Sequence, residues 1–389
     1  MSLGIFLQIW YFESLISFEY IFISIVTVLC ATISQLDFGL VNLLTSKHIR
    51  NLDNSDYRHN EIHELISLVY LNRNKLIKLI LSWAILSSVV IFGIIHFEFE
   101  NIAGRIHTGA IASVVILFNG LGAFTTRILL ALGVSNRILE IQLIAVMGQI
   151  SLFLFDQSVL MVFAGLSIYP ILTLHLAIRQ LFSVKHDPNA RVLTGQNNLK
   201  EHVALLQIAQ IFGVFTSLAV PILAVANLSD RAASIIQFQF KVASVAIAAM
   251  GALYINIQRD SARTEIYSFI RRVILISSLS TLFTATGVIA ILHLKILINL
   301  GSEMPNILSW TSLVLYVGIQ PINISIYYLI MHYQFYSTIA LSGGINILAL
   351  LILVSFAPND VNWYFTSIFL ATVLSGFPLY FRFRRQLLH

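Results

Sequence analysis

The sequence predicts an all-α polytopic membrane protein with about twelve transmembrane helices in two six-helix lobes, the first helix short or truncated. Three observations predict it. The 389 residues are 58% hydrophobic and only 11% charged, with a mean hydropathy of +0.85. A soluble domain uses roughly half apolar and about a quarter charged residues. Apolar runs of about 20 residues, each able to cross a hydrocarbon core, recur along the chain. The basic residues then alternate between the two sides of those runs.

The apolar segments fall at about 2–17, 19–45, 76–97, 107–132, 138–156, 158–182, 200–227, 232–256, 267–291, 306–331, 335–356 and 361–381. The first is short, interrupted by Glu13 and followed at once by Glu19. It reads as the tail of a helix or as an interfacial segment. It has no basic leader and no small-residue cleavage pattern, so it is not expected to be a signal peptide. The second runs into a polar, basic stretch at 46–75, and the next four complete an N-terminal lobe over 1–182. Residues 183–199, with Pro188 and Gly195, form a cytoplasmic linker, and 200–389 form the C-terminal lobe. Pro170, Pro221, Pro321 and Pro378 lie inside predicted helices. Each removes a backbone donor and kinks its helix, leaving a carbonyl for neighbours to satisfy.

Orientation follows from the loops. One side carries Arg105, Arg231 and Lys295, and the other the remaining basic loops, from Lys47 and Arg50 to Arg382, Arg384 and Arg385. The positive-inside rule makes the richer side cytoplasmic, with both termini there. Trp310 and Trp363 then sit at helix starts on the opposite face, as interfacial tryptophans do. The linker also divides the chain into halves that hint at a parallel repeat: sliding Asp56 onto Asp260 places Asp37 on Lys241.

Charge inside such segments is costly, about 2.5–3.5 kcal/mol for a lysine at the bilayer centre on insertion scales. Lys241 is therefore the leading candidate. At helical spacing it shares a face with Ser234, Gln237, Ser244 and Ala248, a small and polar stripe. The stripe suits a cationic cavity wall that meets an anionic ligand, or an interlobe ion pair with Asp37. Arg127 is the second candidate, on a smooth face with Gly120, Ala123 and Ala131. It either lines a cavity or snorkels to cytoplasmic headgroups. Two uncharged stripes follow: Tyr316, Gln320, Asn323 and Tyr327 in 306–331, and Gln35, Gly39, Asn42 and Ser46 in 19–45. They could bind sugar hydroxyls or make interhelical hydrogen bonds.

Other chemistry is excluded or disfavoured. No GxxxxGK[ST] loop is present, so no ATP-driven step is expected within this chain. The eleven histidines form no ligand set, and the single cysteine, Cys30, provides neither disulfide nor thiolate site. No cofactor, metal, catalytic residue or nucleic-acid partner is expected.

With "SQLDFGLVNLLTSKHIR" (34–50) and "ASIIQFQFKVASVAIAAMGALYINIQRDSARTE" (233–265) in view, the chain resembles the Wzx-type polysaccharide repeat-unit flippases. These belong to the multidrug/oligosaccharidyl-lipid/polysaccharide exporter superfamily. The closest matches are the turn at Asp37 to Leu40 and the polar set of Gln237 or Gln239 with Lys241. The likeness runs from about Ser17 to Arg385, and it departs at the start, where family members carry a full first helix. It implies an inner-membrane transporter with a cation-lined cavity between two six-helix lobes. Its substrate would be an undecaprenyl-diphosphate-linked oligosaccharide bound for O-antigen or capsule assembly. Its partners would be that lipid, the bilayer and other polysaccharide-assembly membrane proteins.

Two other readings compete. A multidrug/cation antiporter of the same superfamily would want buried carboxylates to hold a cation. A membrane O-antigen polymerase or ligase would need a sizeable periplasmic loop with reactive residues, and every periplasmic loop here is short.

Overall fold

The structure, a computed structural model, describes residues 2–35, part of 78–91, and residues 105–131, 135–183, 199–249, 266–293, 305–332 and 335–387. Among these the chain is helical throughout, with no strand. The helices are α1 (Ser2–Ser14), α2 (Ser17–Gln35), α3 (Arg105–Ala131), α4 (Ser135–Phe155), α5 (Val159–Ser183), α6 (Leu199–Asn227), α7 (Asp230–Ala249), α8 (Ile266–His293), α9 (Ile307–His332), α10 (Tyr336–Phe356) and α11 (Val361–Leu387). The described residues within 78–91 are helical too. Together they occupy all twelve predicted segments. Among the described residues five helices are long and apolar enough to cross a membrane, and shorter apolar helices lie within α2, α3, α4 and α6. Large side chains such as Leu154, Phe155, Leu282 and Ile289 are about two-thirds or more exposed, which suits lipid and not water.

Local chemistry sets where helices begin. Ser158 and Ser229 accept the backbone N–H of Met161 and Ala232, at 3.4 and 3.2 Å. Asn306 Oδ1 accepts from Ser309 N at 3.1 Å, and Asp360 Oδ1 from Asn362 N at 2.9 Å. Each occupies one of the first amide groups that a helix cannot satisfy internally, worth about 1 kcal/mol. All four caps lie at turns that the charge pattern places outside the cytoplasm. Reporter fusions after Asn227 and Pro358, at two of these turns, are expected to read periplasmic. A cytoplasmic signal at both would overturn that orientation.

The chain forms two compact units. One is Ile25–Leu199; the other joins Met1–Ser24 to Lys200–His389, so the division passes through α2. One boundary falls at Leu199/Lys200, and the first 24 residues group with the later helices. The reason is aromatic: Phe12 on α1 lies 5.0 Å from the ring of Phe238 on α7.

Within each unit the helices repeat one pattern. In the first, α5 packs against both α3 and α4. In the second, α11 packs against both α9 and α10. The sixth helix of each half thus rests on the fourth and fifth. Small residues permit close crossings. At Gly122 a Cβ would lie 2.6 Å from the Pro170 Cα, so α3 meets α5 where glycine faces the proline kink. Thr126 and Tyr169 hydroxyls join the same pair at 3.0 Å. In the other unit Ser277 donates to the Gly318 carbonyl. Ser342 donates to the Ser375 carbonyl at 2.6 Å, tying α10 to α11.

Candidate functional site

The candidate site is built on α7, in the unit formed by Met1–Ser24 and Lys200–His389. Ser229 caps the helix and Asp230 occupies its first turn, where a carboxylate complements the helix dipole. From Ala232 to Gln239 every side chain is buried, because α1, α9 and α11 all pack on α7. An all-round buried stretch would ordinarily be apolar. Here it carries Ser234, Gln237 and Gln239, each fully buried.

These polar groups have different fates. Ser234 donates to the Arg231 carbonyl of its own helix at 2.7 Å. Gln239 and Ser309 exchange hydrogen bonds across to α9: the amide donates at 3.1 Å, and the hydroxyl donates back at 3.2 Å. Gln237 has neither amide atom hydrogen-bonded. Leaving a buried polar group unpaired costs about 1–3 kcal/mol, so a water or a hydroxylated solute would be held there favourably. Trp310 Nε1, beside Ser309 on α9, is likewise buried without a hydrogen bond.

Lys241 follows one turn after Gln237. It is 7% exposed and engaged in an interaction of its own. The observed helix begins two residues earlier than predicted and so includes one carboxylate, Asp230. That group is exposed and roughly 16 Å away along the helix, too far to neutralise the ammonium. The flank beside Phe238 is closed by α1. Phe12 meets Tyr20 edge-on at 5.2 Å, and the Arg231 guanidinium lies 5.5 Å above the Phe12 ring.

The predicted residues divide as follows. Ser234, Gln237 and Lys241 are buried together on α7, while Ser244 on the same stripe is exposed, its hydroxyl donating to the Phe240 carbonyl at 2.8 Å. The stripe is thus interior over two turns and accessible at the third. Gln320 and Asn323 are half-buried on α9, roughly 16 and 21 Å along it from Ser309. They lie at another depth from the Gln239–Ser309 contact. Asn323 Oδ1 faces Gly376 of α11, where a Cβ would come within 3.1 Å. Tyr316 meets Phe365 edge-on at 5.9 Å. Arg127 lies on α3 with its side chain outside the described residues, and Asp37 lies outside them altogether.

Sequence reasoning missed the partners. Ser309 and the Ser312–Thr366 hydroxyl pair at 3.1 Å were not singled out, and Trp310, expected as an interfacial tryptophan, is buried beside Ser309. Tyr364, which donates to the Leu223 carbonyl at 2.9 Å, was not singled out either. Serines and threonines near predicted helix starts were the available signal. Two grooves in the other unit are apolar. One, of about 640 Å³, lies between Ile85 or Val89 and Val114; the second, of about 370 Å³, lies between Val114 and Phe163. Among the described residues no three His, Cys, Asp or Glu side chains gather as metal ligands.

No family model and no curated protein matches this chain. Solved structures do. A crystal structure of MATE in complex with MaL6 aligns over 99% of this chain and 94% of its own, with a TM-score of 0.59 and 13% identity. MATE in complex with MaD5 aligns over 99% and 93%, with a TM-score of 0.55 and 11% identity. MATE in the bent conformation aligns over 99% and 92%, with a TM-score of 0.54 and 14% identity. At such identities the likeness establishes the fold: a multi-pass, all-α membrane architecture shared with MATE over nearly the whole chain.

Proposed function

We propose that this chain is a membrane transporter whose substrate is anionic, and specifically that it translocates undecaprenyl-diphosphate-linked oligosaccharide units from the cytoplasmic to the periplasmic leaflet. The observation that carries the reading is the charge of the interior. Lys241 is a buried cation on α7 beside the unpaired amide of Gln237. The described carboxylates Glu13, Glu140, Asp156, Asp230 and Asp360 are all exposed, and Glu19 lies in the first turn of α2. A buried ammonium attracts a diphosphate. The amide and the exposed Ser244 hydroxyl add groups suited to sugar hydroxyls.

A second reading, a multidrug/cation antiporter, is favoured by the likeness to MATE structures. Deleting the gene separates the two. Lipid-linked units accumulating on the cytoplasmic leaflet, with no change in sensitivity to cationic drugs, is the expected result. Drug hypersensitivity without such accumulation would establish the antiporter instead. Accumulation of translocated but unpolymerised units would mean a polymerase.

A further inference from the structure

One end of the second unit carries a cluster of guanidinium groups that the transport reading does not use. Phe269, Val273 and Leu329 form a buried cluster between α8 and α9, and Ile270 and Phe383 pack against it. The sequence neighbours of those packed residues are arginines: Arg271 and Arg272 after Ile270, Arg382 and Arg384 on either side of Phe383, then Arg385. The apolar cluster therefore gathers the start of α8 and the end of α11 at one membrane face. Arg271, Arg272, Arg384 and Arg385 are exposed. Arg382 is held inward, its guanidinium stacked 3.6 Å from the Phe335 ring centre. α8, α9 and α11 contain no carboxylate; Glu265, just before α8, lies outside the described residues.

Directly beside the arginines, α11 presents apolar and aromatic surface. Phe377, Tyr380 and Phe381 are each about half exposed, and Phe381 touches both of the others, at 6.3 and 6.0 Å. A tyrosine among phenylalanines, one turn from a row of arginines, marks the boundary between acyl chains and headgroups. The arrangement pairs a phosphate-binding rim with an adjoining hydrocarbon surface, and forked guanidinium donors suit phosphate oxygens.

We propose that this end of α8 and α11 is a binding surface for anionic glycerophospholipid, with the phosphate on Arg271, Arg384 and Arg385 and the acyl chains along Phe377, Tyr380 and Phe381. The lipid is the occupant because charge and hydrocarbon are offered side by side at one level, which a soluble anion would not use. Basic surfaces between membrane helices hold anionic headgroups in this manner.

The test uses the full chain purified in detergent, melted in the presence of phosphatidylglycerol or of phosphatidylcholine with identical acyl chains. Phosphatidylglycerol is expected to raise the melting midpoint selectively, and added salt to shrink the shift. R384Q/R385Q is expected to weaken phosphatidylglycerol binding about thirtyfold, at about fivefold per arginine near a headgroup. R384K/R385K should keep part of it. R137Q, at an exposed pair with Glu140 in the other unit, should leave it unchanged. If the double glutamine variant cannot be purified, R271Q and R385Q are measured singly. Equal shifts with both lipids, an equal shift from inorganic phosphate, or undiminished selectivity in the glutamine variants would overturn the proposal. Transport plays no part in the measurement, so its outcome is independent of the substrate.

Discussion

Lys241→Ala is expected to abolish translocation while the protein remains at its normal level in the membrane. The residue is buried on a helix packed by three others, two residues past Gln239, and Asp230 on the same helix is too distant to neutralise it. Opposite charges 4 Å apart attract by about 4 kcal/mol at an effective dielectric near 20, and even a third of that is about tenfold in rate. Lys241→Arg should therefore retain function. The sequence also suggests a structural pairing with Asp37, and a double variant separates the roles. Should Lys241→Ala lose transport and the further change Asp37→Ala restore it, the diphosphate role is wrong.

Gly122→Ala is expected to give the largest loss of stability. Alanine is favoured over glycine in a helix by about 1 kcal/mol, so the change would ordinarily help. Here the new methyl would meet the Pro170 Cα at 2.6 Å, and a backbone atom cannot rotate away. α3 and α5 would have to separate, weakening the Thr126–Tyr169 and Asn119–Leu166 contacts. Overpacking of this kind costs about 1–3 kcal/mol or more. Gly287, with nothing within 4 Å of an added Cβ, is the matched control, and Gly287→Ala should be neutral or stabilising. Thermal melts in detergent decide it: equal behaviour of the two variants would show that the α3–α5 crossing is not close-packed.

The fold was legible because the membrane simplifies it. Burying backbone groups in hydrocarbon forces helices, and each apolar run announces one. Lys241 was legible for the same reason, since a charge in an apolar run is conspicuous. Its setting was less so. The pairing of Gln239 with Ser309 spans 70 positions and depends on how α7 is rotated, which a helix buried on all sides does not encode. Helical spacing placed Ser244 with Gln237 and Lys241, but spacing alone cannot say where the neighbouring helices stop covering α7. The docking of α1 escaped because its contact is a few aromatic rings rather than a periodic face.

That docking bears on how the protein is made. Phe12 leaves the ribosome well before its partner Phe238, which follows roughly 225 residues later. At synthesis rates of about 5–20 residues per second, the opening helix waits roughly 10–45 seconds for the surface it belongs to. The first unit, Ile25–Leu199, can be complete by then, while the second cannot close until its earliest segment is brought back to it. A helix made before either unit is complete is thus the last piece fitted.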